Sequence, residues 1–239
     1  KYYALLIGNS KYTNWTPLKS PVNDINQIGQ ILKKNYNFSK VITVQNANRE
    51  EIFNALINLK KITTDKDYVL IYYSGHGDYV KTVAKTESYW IPVNGKKEMD
   101  FNWINVSDVE NYFQEIEAYH LLVMVDSCYF PNLTKGENKT KKNPKEALYK
   151  KLFSKKSRVI VTAGLHEQVA DTAGKNSKNS IFARTFIREL NNNKDIIPIT
   201  NIYNEIKSAH TDLDQSPTKR EYQNWGDQGG EFLFISKKQ

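Results

Sequence analysis

The chain has 239 residues, 39% of them hydrophobic and 12% aromatic, enough for a substantial core and too apolar for a disordered segment. Its apolar runs fall short of the ~20 residues of a membrane helix, and none looks like a signal peptide. The single cysteine excludes an internal disulfide framework and points to a reducing, cytoplasmic setting. The net charge of +8 is local: Lys135 to Arg158 holds ten basic and two acidic residues, and the remainder balances at 24 of each. A nucleic-acid surface would spread its basic residues over a face with aromatics among them, so no nucleic-acid partner is expected. The chain opens on a strand without methionine, so a piece of a longer protein is the expectation.

Taken in order, Tyr2 to Gly8 is a buried strand, followed by a polar loop to Pro21. Asn23 to Asn35 is predicted helical, because Ile25, Ile28, Ile31 and Leu32 share one face. Lys40 to Val44 reads as a short strand and Arg49 to Lys60 as a helix with Ile52, Leu56 and Leu59 inward. Tyr68 to Tyr73 is a continuous apolar, β-prone run, as in a parallel strand covered on both faces, and it runs into Ser74-Gly-His-Gly77. Tyr89 to Val93 is extended, its proline arguing for an edge or a strand end. Ser107 with Glu110 gives a capping-box signal for a helix to about Ala118. His120 to Asp126 is a second apolar strand. The lysine-rich stretch 131–157 has little periodicity except near Ala147 to Phe153. A strand over Arg158–Thr162, helices over Ser180–Leu190 and Thr200–His210, and a closing strand over Gly230–Ile235 complete the pattern. Strands alternating with helices imply an α/β fold with a mostly parallel sheet, and no linker or repeat divides the chain.

Two strands end on chemistry. Gly75 and Gly77 frame His76, and Asp126-Ser-Cys128 delivers the only cysteine 52 residues later. Were the two strands parallel neighbours, both side chains would meet at the carboxyl edge of the sheet, where open α/β folds place their sites. A thiol attacks as the thiolate, so an adjacent imidazole must take its proton or stabilise the anion. The amides of Gly77 and Cys128 would suit an oxyanion hole. His166, after the 158–162 strand, is the rival base; His120 lies at the opposite edge and His210 in a helix. One cysteine and four scattered histidines show no metal-ligand spacing.

These motifs resemble those of the caspase-like cysteine peptidases of family C14, and within them the metacaspases and their bacterial relatives. The likeness extends over Leu5-Leu-Ile-Gly-Asn9, Val22-Asn-Asp24, Ser180-Ile-Phe-Ala183 and Gly229-Gly-Glu-Phe-Leu-Phe234. The 52-residue spacing also matches the ~50 residues between histidine and cysteine in caspases. The resemblance implies a caspase-like three-layer αβα domain over 1–239, with Cys128 as nucleophile and His76 as base. True caspases carry Gln-Ala-Cys and cut after aspartate. The aspartate two before Cys128 (Asp126), Asp24 and Ser74 instead correspond to an acidic pocket in metacaspases. Such a pocket would hold Arg or Lys by charge-assisted hydrogen bonds. From the residues alone, Asp24 can also be read as a helix cap and Asp126 as a turn residue.

The resemblance implies an endopeptidase cutting proteins or peptides after Arg or Lys, latent until activated. Its lysine-rich 131–157 loop would sit where relatives carry an activation loop and could be cut by the enzyme itself. The alternative is a catalytically silent caspase-like scaffold. Two departures stand out. Tyr129-Phe-Pro131 replaces the usual His/Phe-Ser-Gly after the cysteine. Asn94 stands about where metacaspases have a calcium-binding aspartate, with no aspartate cluster in view, so no cofactor is expected and calcium dependence is unsupported.

Overall fold

A computed structural model describes residues 1–127, 146–164, 171, 172, 174, 177–211 and 215–237. In chain order the elements are β1 (Tyr2–Gly8), α1 (Pro21–Asn35), β2 (Phe38–Gln45), α2 (Arg49–Ile62), β3 (Tyr68–Ser74), β4 (Gly77–Lys81), β5 (Thr86–Trp90), β6 (Ile104–Asn105), α3 (Val106–Glu115), β7 (His120–Asp126), α4 (Glu146–Phe153), β8 (Ser157–Thr162), α5 (Ile181–Asn192), β9 (Ile196–Pro198), α6 (Ile199–Ala209), β10 (Thr218–Glu221) and β11 (Leu233–Ile235). The central sheet runs β10-β8-β7-β3-β1-β2. Every neighbouring pair is parallel except β10 on β8. No helix among the described residues is long and apolar enough to cross a membrane.

The unbroken apolar runs follow from the layers. Successive strand residues point to opposite faces, and here both faces are covered. Ala4, Leu6, Leu70, Tyr72, Leu122 and Met124 pack with Ile25, Ile28 and Leu32 of α1, Phe182 and Phe186 of α5, and Ile202 and Ile206 of α6. Leu5, Ile7, Ile71, Tyr73, Val123 and Val125 pack with Ile52, Leu56 and Leu59 of α2 and Val109 and Phe113 of α3. Three layers, helix–sheet–helix, result. The expected mostly parallel αβα architecture is the one observed.

Local expectations shifted in three places. The third helix begins at Val106 and is capped by Asn105, whose side chain accepts from Ser107 N at 2.8 Å. Asn caps as well as Ser, so the Ser107 signal fell inside the first turn. The helix stops at Glu115, and Ile116 turns extended so that it and Ala118 can enter the core. Gly77 is not only a loop residue: it opens β4, which pairs with β5 in a small antiparallel sheet, β4-β5-β6. Finally, β11 joins β9 in its own two-stranded ladder and leaves the main sheet alone.

Candidate active site

The site residues gather at the carboxyl edge of the parallel strands. β3 and β7 are parallel neighbours, and their register pairs Ser74 with Asp126. His76 lies two residues beyond Ser74, and Cys128 two beyond Asp126 in the sequence. Cys128 and the rival base His166 lie outside the described residues, as does most of the 131–157 loop. The described residues beyond β7 end at buried Ser127.

His76 is held on every side. Its backbone N–H donates to Tyr12 Oη at 2.8 Å, and its carbonyl accepts from Tyr73 Oη at 2.9 Å and from Ile91 N at 3.0 Å. Glycine at 75 is required by space: a Cβ there would lie 2.6 Å from the Tyr12 hydroxyl. The His76 ring packs against Tyr12 and Trp15, with centroids 4.6 and 5.5 Å away. Its Nε2 lies 2.7 Å from the Thr16 carbonyl oxygen. A carbonyl can only accept, so Nε2 carries the proton and Nδ1 of the neutral ring is the free base. Burial lowers the pKa of His76, opposed by the Thr16 carbonyl and the Asp171 and Asp78 charges, while Lys97 reinforces the lowering.

Beside it sits a pair of buried carboxyls, Asp24 in the first turn of α1 and Asp126 at the end of β7. The helix-cap reading of Asp24 yields here to a tertiary role. Asp24 Oδ1 accepts from Asn179 Nδ2 at 2.6 Å and Oδ2 from Ser180 N at 3.5 Å. Ser180 caps α5, accepting from Ala183 N at 2.9 Å, and donates its hydroxyl proton to Asp126 Oδ2 at 2.5 Å. Tyr72 Oη donates to that same oxygen at 3.1 Å. Asp126 Oδ1 meets no donor in hydrogen-bonding geometry among the described residues, although the buried Ser74 hydroxyl favours its charged form. Burial raises the pKa of both acids, and the Asp126 charge raises Asp24 further. Two adjacent buried carboxyls cannot both ionise cheaply; a cation brought between them would relieve each.

Several residues escaped the sequence reading. Thr16 acts through a main-chain carbonyl, which no side-chain pattern betrays. Tyr12 and Trp15 lie in a polar loop that reads as a connector. Asn179 and Ser180 show only the helix-start signal of α5. Asp171 is a third carboxylate near His76 and Asp126, and its charge raises the pKa of both. Among the described residues no three His, Cys, Asp or Glu side chains group as metal ligands.

A parallel α/β sheet whose carboxyl edge carries a carbonyl-held imidazole, in a chain whose only cysteine follows the adjacent strand, has the layout of a cysteine–histidine hydrolase domain. Comparison with known proteins makes the class specific. The chain matches the caspase-domain model of peptidase family C14 over residues 1–224 and belongs to that family. Human mucosa-associated lymphoid tissue lymphoma translocation protein 1 is 29% identical to it over 126 residues, 52% of this chain and 15% of that protein; the mouse homologue is 29% identical over the same length and 14% of its own. The chain thus spans about a seventh of the length of these curated relatives. Among solved structures, protein GSU0716 from Geobacter sulfurreducens superposes with a TM-score of 0.66 at 17% identity, covering 92% of this chain and 93% of that one, a likeness of fold.

Proposed function

We propose that this domain is a cysteine endopeptidase that cuts after Arg or Lys through Cys128 and His76. The observation that carries the reading is the His76 ring: Nε2 is committed to the Thr16 carbonyl, which leaves Nδ1 as the basic nitrogen of that ring. In the proposed reaction Nδ1 takes the proton of Cys128 Sγ, and the thiolate attacks the scissile carbonyl carbon. The resulting oxyanion is met by the amides of Gly77 and Cys128. His76 then returns the proton to the leaving amine. Water, deprotonated by Nδ1, hydrolyses the thioester and frees the thiol. The Thr16 carbonyl stabilises the imidazolium that forms in each half. No metal or cofactor takes part in these steps.

The Arg/Lys preference rests on Asp24, Asp126 and Ser74. Asp126 Oδ1, buried and without a donor in hydrogen-bonding geometry among the described residues, suits a guanidinium or ammonium group, and Asp24 would add the second charge. Asp24, by contrast, is already occupied by Asn179 and Ser180. That occupancy supports a latent resting form, in which substrate or an activating rearrangement must displace those donors. The lysine-rich 131–157 loop is the proposed site of activation, including self-cleavage.

Fluorogenic peptides ending in Arg, Lys or Asp, incubated with wild type and with Cys128→Ala, His76→Ala and His166→Ala, test the reading. Cleavage after Arg or Lys that is lost in the first two variants and kept in the third is the expected result. A preference for Asp would sink the acidic pocket. Loss with His166→Ala and retention with His76→Ala would move the base. Silence of the wild type under every activating condition favours the scaffold reading. Mass spectrometry of the purified protein reports whether the 131–157 loop is cut.

A further inference from the structure

The loop between β1 and α1 does two jobs. It surrounds His76 with Tyr12, Trp15 and the Thr16 carbonyl, and it then delivers Asp24 on α1. Its entrance is tied down by Asn46, whose side-chain oxygen accepts from Ser10 N at 2.9 Å and Lys11 N at 2.8 Å. Thr13 N adds a bond to the Val93 carbonyl at 2.9 Å.

The exit is tied down from across the site. Asp171, some 150 residues away in sequence, accepts from Lys19 N with both carboxylate oxygens, at 3.0 and 2.9 Å. Its Oδ1 also accepts from Ser20 N at 3.0 Å and from Ser20 Oγ at 3.1 Å. Ser20 stands at the N-cap of α1, yet its side chain makes no capping bond to its own helix. Instead of the usual use of a serine at that place, its hydroxyl reaches Asp171 and also favours the charged form of Asp24. Asn23 Nδ2 to the Lys178 carbonyl, at 2.9 Å, and the Asn179 bond to Asp24 continue the same seam.

We propose that Asp171 is a positioning residue: by closing the exit of the 9–20 loop it holds the Thr16 carbonyl in place and, through it, the His76 ring. The inference rests on His76 serving as the base, and it adds a residue that acts through the Thr16 carbonyl. The charged groups around the ring are Asp171 and Asp78, which favour the imidazolium, and Lys97, which opposes it. Removing the Asp171 charge and loosening Thr16 therefore act in the same direction.

The test compares wild type with Asp171→Asn and Ser20→Ala in the full chain. NMR titration of the His76 ring should shift downward by roughly half a pH unit in Asp171→Asn and by less in Ser20→Ala, which keeps the three backbone contacts. Alkylation of Cys128, the only cysteine, by iodoacetamide at pH 7 should slow about tenfold in Asp171→Asn. With an Arg or Lys peptide, kcat should fall while KM holds. An unmoved His76 titration, or a moved one with unchanged alkylation, overturns the inference. So does a raised KM at constant kcat, which would make Asp171 a wall of the cation pocket. A wild type that cuts no peptide sinks the peptidase reading alone, since titration and alkylation still judge Asp171. If Asp171→Asn fails to fold, Ser20→Ala decides by the same two readouts.

Discussion

The sheet carries a histidine at each end, and the two are built alike. His76, past the carboxyl end of β3, and His120, at the amino end of β7, each place Nε2 against a main-chain carbonyl, Thr16 at 2.7 Å and Lys155 at 2.9 Å. Burial lowers the pKa of both, His120 to about 4. The surroundings differ. His120 is fully buried amid Tyr68, Tyr119, Phe153 and Phe232, and its Nδ1 has no partner in hydrogen-bonding geometry among the described residues. His76 stays partly open and feels Asp171, Asp78 and Lys97. A carbonyl-held imidazole is thus not in itself a catalytic feature. At the amino end it is packing; at the carboxyl end, where strands release loops and helices begin, it is partly open and faces charged groups, as the proposed base role requires.

Substitutions can break that comparison. His76→Ala should lower kcat for an Arg or Lys peptide by about 10²–10⁴-fold with the urea midpoint nearly unchanged. His120→Ala should do the reverse, costing roughly 2–5 kcal/mol of stability in urea unfolding through the cavity it leaves, with kcat held in the protein that stays folded. Equal kinetic losses from both would erase the distinction. Asp126→Asn should cost about 1.5–3 kcal/mol of transition-state binding, roughly 10–100-fold in kcat/KM, for Arg and Lys peptides.

The smallest effect is the pH dependence of stability. Folding raises the Asp24 pKa above its unfolded value near 3.8. The folded state then holds the proton over a pH range where the unfolded state has released it. Wild type therefore loses stability as pH climbs from the unfolded value through the raised one. Asp24→Asn lacks that loss, so the Tm difference, variant minus wild type, should grow more positive from pH 5 to pH 9, by about 2–4 °C per kcal/mol. A difference that is flat or shrinks with pH would show that Asp24 is not strained by its burial. The same variant should weaken Arg and Lys peptides, a trade of stability against function.

Much of the framework was legible in the residues. The runs Tyr2–Gly8, Tyr68–Ser74 and His120–Asp126 could be covered on both faces only as parallel strands, and the observed elements agree with that reading within a few residues. What escaped was short and polar. Gly77–Lys81 and Thr218–Glu221 are strands because a partner lies alongside them, and their own composition says little. The Ser107 signal failed because a neighbouring Asn capped equally well.

The site divides along the same line. His76 at the end of an apolar strand, and an acid two residues before the only cysteine, are local patterns; local periodicity puts each at the end of its strand, and the parallel β3–β7 pairing brings them to one edge. Which nitrogen of His76 is left unprotonated, why Asp24 serves no cap, and how Asn179, Ser180 and Asp171 join the candidate site depend on segments 60 to 156 residues apart meeting in space. Strand periodicity is a property of a few consecutive residues, written wherever the core demands it. A carbonyl or carboxylate acquires its role from whatever donor the finished fold brings within hydrogen-bond reach.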